Sequence, residues 1–264
     1  MEHKLPSVKK RAPLINPRCR QLFQIAKAAA DRTFDEKGDR ESRDDGDALI
    51  AIVFAFSALE GFLNELPEII LSLHDTSLAF VPMPDPMLRL AACLSECEWE
   101  SSQMPLKLAA WHSVVGKTFN RSEWEDLLLL RDVRNALVHY HGETAVDTDS
   151  PGSHPNPFDL EGRDRRLVQR MRAKKVLADV AKPERVPLLE LLQTRKVAIW
   201  AIDTADKSIF TLLRMLPTEG DLLDYMTMLF AFLGKEKQQL WVQGMTEMMF
   251  RMSRLSRSAT DKTN

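Results

Sequence analysis

Apolar residues recur along this chain at three- and four-residue steps, and alternating runs of Val, Ile and Thr are scarce, so the pattern predicts helices almost throughout. A first helix is expected over residues 17–35, where Leu22, Ile25 and Ala29 share a side. A second, over residues 47–65, is apolar nearly all round: Leu49, Ile50, Ile52, Val53, Phe54, Phe56, Leu59 and Phe62 leave it no polar face. Such a helix belongs at the centre of a bundle, and Pro67 is expected to end or kink it. Shorter helical stretches follow at 87–98 and 106–118, after the turn-rich P-M-P-D-P of residues 82–86. Ser122 and Glu125 have the spacing of a capping box and Gly142 is a natural stop, which frames a helix between them. A basic helix at 162–180, a long one at 186–216, and two more at 221–233 and 235–255 complete the pattern.

Two stretches interrupt it. Residues 35–47 carry more acidic than basic side chains around Gly38 and Gly46, and residues 143–159 set Gly152, Pro151, Pro155 and Pro157 among Asp, Ser and Asn. Both are expected as exposed loops. The organisation that follows is an N-terminal helix with its acidic loop over residues 1–44, a helical bundle over 45–216, and a C-terminal helical extension over 217–264 that either stands apart or completes the bundle. The fold class is all-α.

Composition narrows the function classes. Hydrophobic residues make up 44% and charged ones 28%, ordinary for a folded chain, and a net charge of -2 excludes coating of nucleic acid or anionic lipid by bulk charge. Any polyanion site must therefore be local. Three cysteines, Cys19, Cys93 and Cys97, are too few for a disulfide scaffold and fit a reducing compartment. The longest apolar run, residues 48–59, falls short of the roughly 20 residues of a membrane span, and no apolar stretch follows the basic N-terminal segment. The expected location is the cytoplasm, with no membrane partner.

Residues 127–143, L-L-L-L-R-D-V-R-N-A-L-V-H-Y-H-G-E, hold the densest chemistry. At about 100° per residue, with Arg131 at zero, Asn135 lies at about 40°, His139 at about 80°, Arg134 at about 300° and His141 at about 280°, a polar arc of about 160°. Leu129, Val133, Ala136, Leu137 and Tyr140 take the opposite, core side, while Trp124, Leu128 and Val138 flank the arc. A polar stripe hemmed by apolar residues suits burial against another helix or another subunit.

Arg134-Asn135-x-x-x-His139 resembles the R-x4-6-H signature of the HEPN superfamily, and His141 satisfies its longer spacing. Two further segments are similar to that family: the central helix with S-A-L-E-G-F-L-N-E-L at 57–66 and the later helix with W-A-I-D-T-A-D-K-S-I-F-T-L-L at 200–213. The likeness spans residues 45–216. It implies a helical bundle that often dimerises, with the motifs of two subunits facing one cleft. It also implies a metal-independent, cofactor-free endoribonuclease leaving 2′,3′-cyclic phosphate and 5′-hydroxyl ends. In that chemistry Arg134 would clamp phosphate, His139 would transfer the proton, and Asn135 would orient the phosphate or the histidine. His141 is the ambiguous member, beside Gly142 where the helix frays. The substrate would be RNA, whether tRNA, mRNA or rRNA, and a cognate antitoxin or defence partner would accompany a toxin–antitoxin or antiphage role. A subset of HEPN toxins carries R-x4-H-x-Y. Here residue 141 is His and Tyr140 stands one place early, a departure from that subset.

Around the motif, Glu60 is alone among apolar residues of the central helix and is expected to support the site by pairing with Arg131 or Arg134. Arg163, Arg166, Arg170 and Lys174 align on one face of the basic helix and, with Arg131, are candidate RNA-backbone contacts; a solvated helix face is the plainer reading. No aromatic residue interleaves them, so this patch would read phosphate rather than sequence. Cys93 and Cys97 stand one turn apart, and small core residues are a plainer reading than a zinc site shared with His112 and Cys19; no metal is expected. Trp241, Met245, Met248 and Met252 form a stripe that is core by default and a partner surface otherwise. Phosphate loops, nucleophile elbows and metalloprotease motifs are absent. The alternative function is a catalytically inactive HEPN module that dimerises or binds a protein or nucleotide. In it Arg134, Asn135 and His139 need only be hydrogen-bonded, whereas catalysis needs them accessible.

Overall fold

The computed structural model describes residues 17–33, 46–75, 83–99, 104–139, 162–177, 186–218 and 220–230. Among them the chain is helical without strands: α1 (Arg18–Arg32), α2 (Asp47–Asp75), α3 (Asp85–Trp99), α4 (Met104–Val115), α5 (Arg121–Val138), α6 (Gly162–Ala173), α7 (Leu188–Leu192), α8 (Arg195–Met215) and α9 (Gly220–Phe230). The expected loops at 35–47 and 143–159 fall almost wholly outside the described residues, as do Tyr140, His141, the helix expected at 235–255 and its methionine stripe.

The apolar surround of α2 dictates the arrangement. Ala51, Ile52, Ala55, Phe56, Leu59, Phe62, Leu63, Leu66 and Ile70 are all buried, with α1, α3, α5 and α8 packed around the helix and α4 touching it. Pro67 does not end α2, which runs on to Asp75. An internal proline removes one hydrogen bond and crowds the preceding turn, a loss of about 3 kcal/mol. Leu63, Leu66, Ile69 and Ile70 around it are buried, and at about 1.5–3 kcal/mol per such side chain their burial outweighs that loss. The uninterrupted helix is also long and apolar enough to cross a membrane by length and composition, unlike a run ending at residue 59; half of its most apolar window lies buried inside the bundle.

Phe62 is the meeting point of the core. Its ring stands edge-on to Phe230 at 4.7 Å and tilted to Trp111 at 6.1 Å between centroids, joining α2 to α9 and α4. The stretch after residue 217 therefore begins by closing the same core, through Leu222, Met226, Leu229 and Phe230.

Helix α1 lies closest to α2. Its buried face runs through Cys19, Phe23, Ala26, Ala29 and Ala30, and Ile25, expected on that face, is exposed. Pro17 at its N-cap offers no side-chain acceptor. The carboxylate of Glu65 on α2 supplies one instead, accepting the Cys19 backbone N–H at 3.2 Å. One turn before Glu65, Gly61 allows the backbones to approach: a β-carbon there would sit 3.2 Å from Cys19 Cβ and 3.4 Å from Cys19 Cα.

Two other expectations change. The stretch expected as one helix over 186–216 is broken at Gln193 and Thr194, where the Thr194 hydroxyl accepts the Val197 N–H at 3.4 Å and caps α8. The basic helix α6 stops at Ala173 because Lys175 adopts a left-handed backbone, φ 57°.

Gly61 supplies a test. Gly61→Ala gains about 1 kcal/mol of helix propensity and asks α1 to give by only a few tenths of an ångström, so its stability in urea should change little. Gly61→Leu has to push two packed helices apart and is expected to lower stability by about 3 kcal/mol.

Candidate functional site

Helix α5 begins two residues earlier than a Ser122 capping box requires. Asn120 is the N-cap, its side-chain oxygen accepting the Glu123 N–H at 2.9 Å, a role for which asparagine and serine are about equally suited. Glu125 is thereby released from capping. It accepts from Arg121 at 2.9 Å and pairs with Lys174 at 3.4 Å. At the other end α5 stops at Val138, well before Gly142, with His139 as its C-cap in a non-helical conformation.

The motif residues divide between two surroundings. Arg134 turns inward. Its Nη1 donates to Asn135 Oδ1 at 3.0 Å, its Nη2 stands 3.7 Å from Glu60 Oε2, and its guanidinium carbon lies 5.5 Å from the centre of the Phe56 ring. The Arg134 side chain is 25% exposed and Glu60 38%, so the pairing expected for Glu60 is with Arg134 and not Arg131. The Arg134 Nε–H is buried without a hydrogen-bond partner among the described residues. His139 is exposed beside exposed Val138, and its imidazole makes no hydrogen bond or ion pair with a described residue; only its backbone N–H is engaged, to Asn135 O at 3.0 Å. One chain thus gathers Arg134, Asn135 and Glu60 and leaves His139 apart from them.

A second cation deepens this cluster. Lys107 on α4 is only 6% exposed and donates to Asn64 Oδ1, one turn along α2 from Glu60. Burial raises the Glu60 carboxyl above the usual range, and the charges of Arg134 and Lys107 pull it back. Lys107 was legible only as a lone cation in an apolar helix, the same signal that marked Glu60.

Arg131 and the basic helix serve each other. Asp132 accepts from Arg131 Nη2 at 2.8 Å and from Arg170 Nη1 at 2.6 Å. Burial opposes its ionisation, yet the hydrogen bonds from Arg170 and Arg131 together hold the carboxyl below the ordinary aspartate range. Lys174 lies 3.0 Å from Asp126. Leu167, Val168 and Met171 bury the apolar side of α6. Arg170 and Lys174 therefore hold α6 to α5, while Arg163 and Arg166 are exposed and make no ion pair with a described residue.

The cysteines and His112 occupy separate places. Cys19 is buried beneath Gly61, where burial and then the Glu65 charge push its thiol pKa up. His112 packs between Phe119 and Trp124, at 5.7 and 6.0 Å, and burial lowers its pKa. No family model, curated protein or solved structure matches this chain.

The titration of Glu60 checks the cluster. Because folding raises this pKa, the protonated carboxyl favours the native state at low pH, and that contribution is lost as pH rises from the usual glutamate value through the folded one. In carboxyl-detected NMR, Glu60 should titrate above the other exposed glutamates, and Arg134→Ala should move it higher still. A Glu60 that titrates normally in both chains means that the half-buried pair with Arg134 is not formed.

Proposed function

We propose that this chain is a HEPN-type, metal-independent endoribonuclease that works as a homodimer, in the cytoplasm, in a toxin–antitoxin or antiphage defence role. The observation that carries the reading is the state of Arg134: a guanidinium braced by Glu60, Phe56 and Asn135, with its buried Nε–H still unpartnered and an accessible histidine at the end of the same helix.

The chemistry uses these groups as follows. A neutral His139 takes the proton from a ribose 2′-hydroxyl, the 2′-oxygen bonds to phosphorus, and the bond from phosphorus to the 5′-oxygen breaks. A second histidine returns a proton to the leaving 5′-oxygen, so that the products are a 2′,3′-cyclic phosphate and a 5′-hydroxyl. Arg134 neutralises charge as it builds on the phosphate, aided by the N–H groups that Asn135 and Glu60 leave free. Around α5, Arg134 and His139 are about 140° apart and about 7.5 Å along the axis. A second copy docked on the same helix end supplies the complementary pair, giving one cleft with two arginines and two histidines.

The second reading, a catalytically silent HEPN module for dimerisation or binding, is favoured by the inward turn of Arg134, whose charge is already matched by Glu60. Labelled tRNA and total RNA incubated in EDTA separate the two. Wild type should cleave and leave cyclic phosphate, and His139→Ala and Arg134→Ala should each reduce the rate at least about 100-fold. Cleavage that survives both substitutions, or folded wild type that cleaves nothing with any RNA offered, returns the chain to the silent reading.

A further inference from the structure

At the opposite end of α5 from His139, about 20 Å along the helix, a groove of about 280 Å³ opens where α5, the end of α6 and the face of α8 meet. Four lysines, Lys174, Lys175, Lys196 and Lys207, line it together with Glu123, Asp126, Asp203 and the half-buried indole of Trp200. Buried Thr204 and Ser208 also border it.

Two of its walls are fixed by the fold. Lys174 spans to Asp126 at 3.0 Å and Glu125 at 3.4 Å, and Lys196 Nζ donates to the Leu177 carbonyl at 2.8 Å, tying the chain after α6 to α8. Lys175 is a different case. Its left-handed backbone closes α6 with the bonds Lys175 N–H to Arg172 O and Val176 N–H to Met171 O, each 2.9 Å. That position after a helix end ordinarily favours glycine, because a β-carbon is strained there. Local folding therefore gives no reason for a lysine. Its ammonium at the groove edge does, and neither Lys175 nor Lys207 makes an ion pair with a described residue.

We infer that this groove binds a nucleotide, with the base against Trp200, the phosphate between Lys175 and Lys196, and ribose or base donors on Glu123 and Asp203. The lining calls for three features in one ligand: a compact anion, a flat apolar body and hydrogen-bond donors. Inorganic phosphate leaves the indole and carboxylates unmatched, and an acidic peptide meets those carboxylates with like charge. Lys207 lies about 16 Å from Lys196 along α8, too far to share one phosphate. It suits the next phosphate of a strand, and so distinguishes a free nucleotide from a nucleotide within RNA. The inference does not rest on the nuclease reading, since none of these residues belongs to the motif.

Calorimetric titration of the full chain with UMP, AMP, inorganic phosphate and an eight-residue oligouridylate tests it. Nucleotides should bind at least about tenfold more tightly than phosphate, and Trp200→Leu and Lys175→Gly should each weaken them about tenfold or more. Lys175→Gly relieves the left-handed strain, so its melting temperature should equal or exceed that of wild type, and lost binding cannot then be put down to unfolding. If Lys207→Ala weakens the oligonucleotide and not UMP, the occupant is part of a strand; equal affinity for both assigns the groove to a free nucleotide. His139→Ala should bind UMP as wild type does. The inference is overturned if neither nucleotide nor oligonucleotide binds at millimolar concentration, or if Trp200→Leu and Lys175→Gly bind them undiminished. Binding lost in His139→Ala but kept in both groove variants also overturns it, while leaving the nuclease reading intact.

Discussion

The inner side of a half-buried helix must find a partner for every polar group it carries, and α2 imposes that requirement on the whole bundle. Its buried length offers few such groups, and they fall into two tracks. Gly61 and Glu65, one turn apart, face α1: the glycine brings the two backbones together and the carboxylate receives a first-turn N–H of a helix whose own cap is a proline. Glu60 and Asn64, also one turn apart, are met by Arg134 from α5 and Lys107 from α4. Removing a carboxylate or amide from water without such a partner is expensive enough to forbid it. The polar residues of α2 therefore select which faces of α1, α4 and α5 turn inward, and apolar packing around Phe62 then fills the remaining space.

This explains the division within the motif. Arg134 and Asn135 belong to the inward side of α5 because Glu60 needs a cation, and Arg134 is braced by Glu60, Asn135 and the Phe56 ring. His139 sits where the helix has ended, so its position depends on the local backbone and on whatever meets that end. The motif is thus divided between a guanidinium braced by the bundle and a histidine left accessible at the helix end.

How much of this could be read from the residues depended on the kind of signal. Helical periodicity and the lone Glu60 gave the all-α class, the central helix and the ion pair with an arginine of α5, because each is a local or one-dimensional pattern. The continuation of α2 through Pro67 was hidden, since a proline penalty is local and the burial that outweighs it comes from distant helices. Asn120 displaced Ser122 as the cap because two competent residues stood within one turn and the fold chose the register. Asp132, which clamps α6 to α5, carries no signal of that role along the chain, since it takes a second helix to place Arg170 beside it. The groove lined by Trp200 and Lys175 joins residues from three separate helical regions, and no spacing in one dimension foretells it.

The uninterrupted α2 has a consequence in time as well as in space. Between its last residue, Asp75, and the first of α8, Arg195, lie roughly 120 residues, which at about 5–20 residues per second occupy some 6–24 s of synthesis. Throughout that interval a segment with the length and apolarity of a membrane span has emerged without one of its main neighbours. At first only α1, already made, and α3, made next, are at hand to shield it, and α4 and α5 follow before α8. The tight seam at Gly61 and the carboxylate cap on α1 thus do their first service on the nascent chain, keeping the most apolar helix engaged with its own sequence until the rest of the bundle has been made.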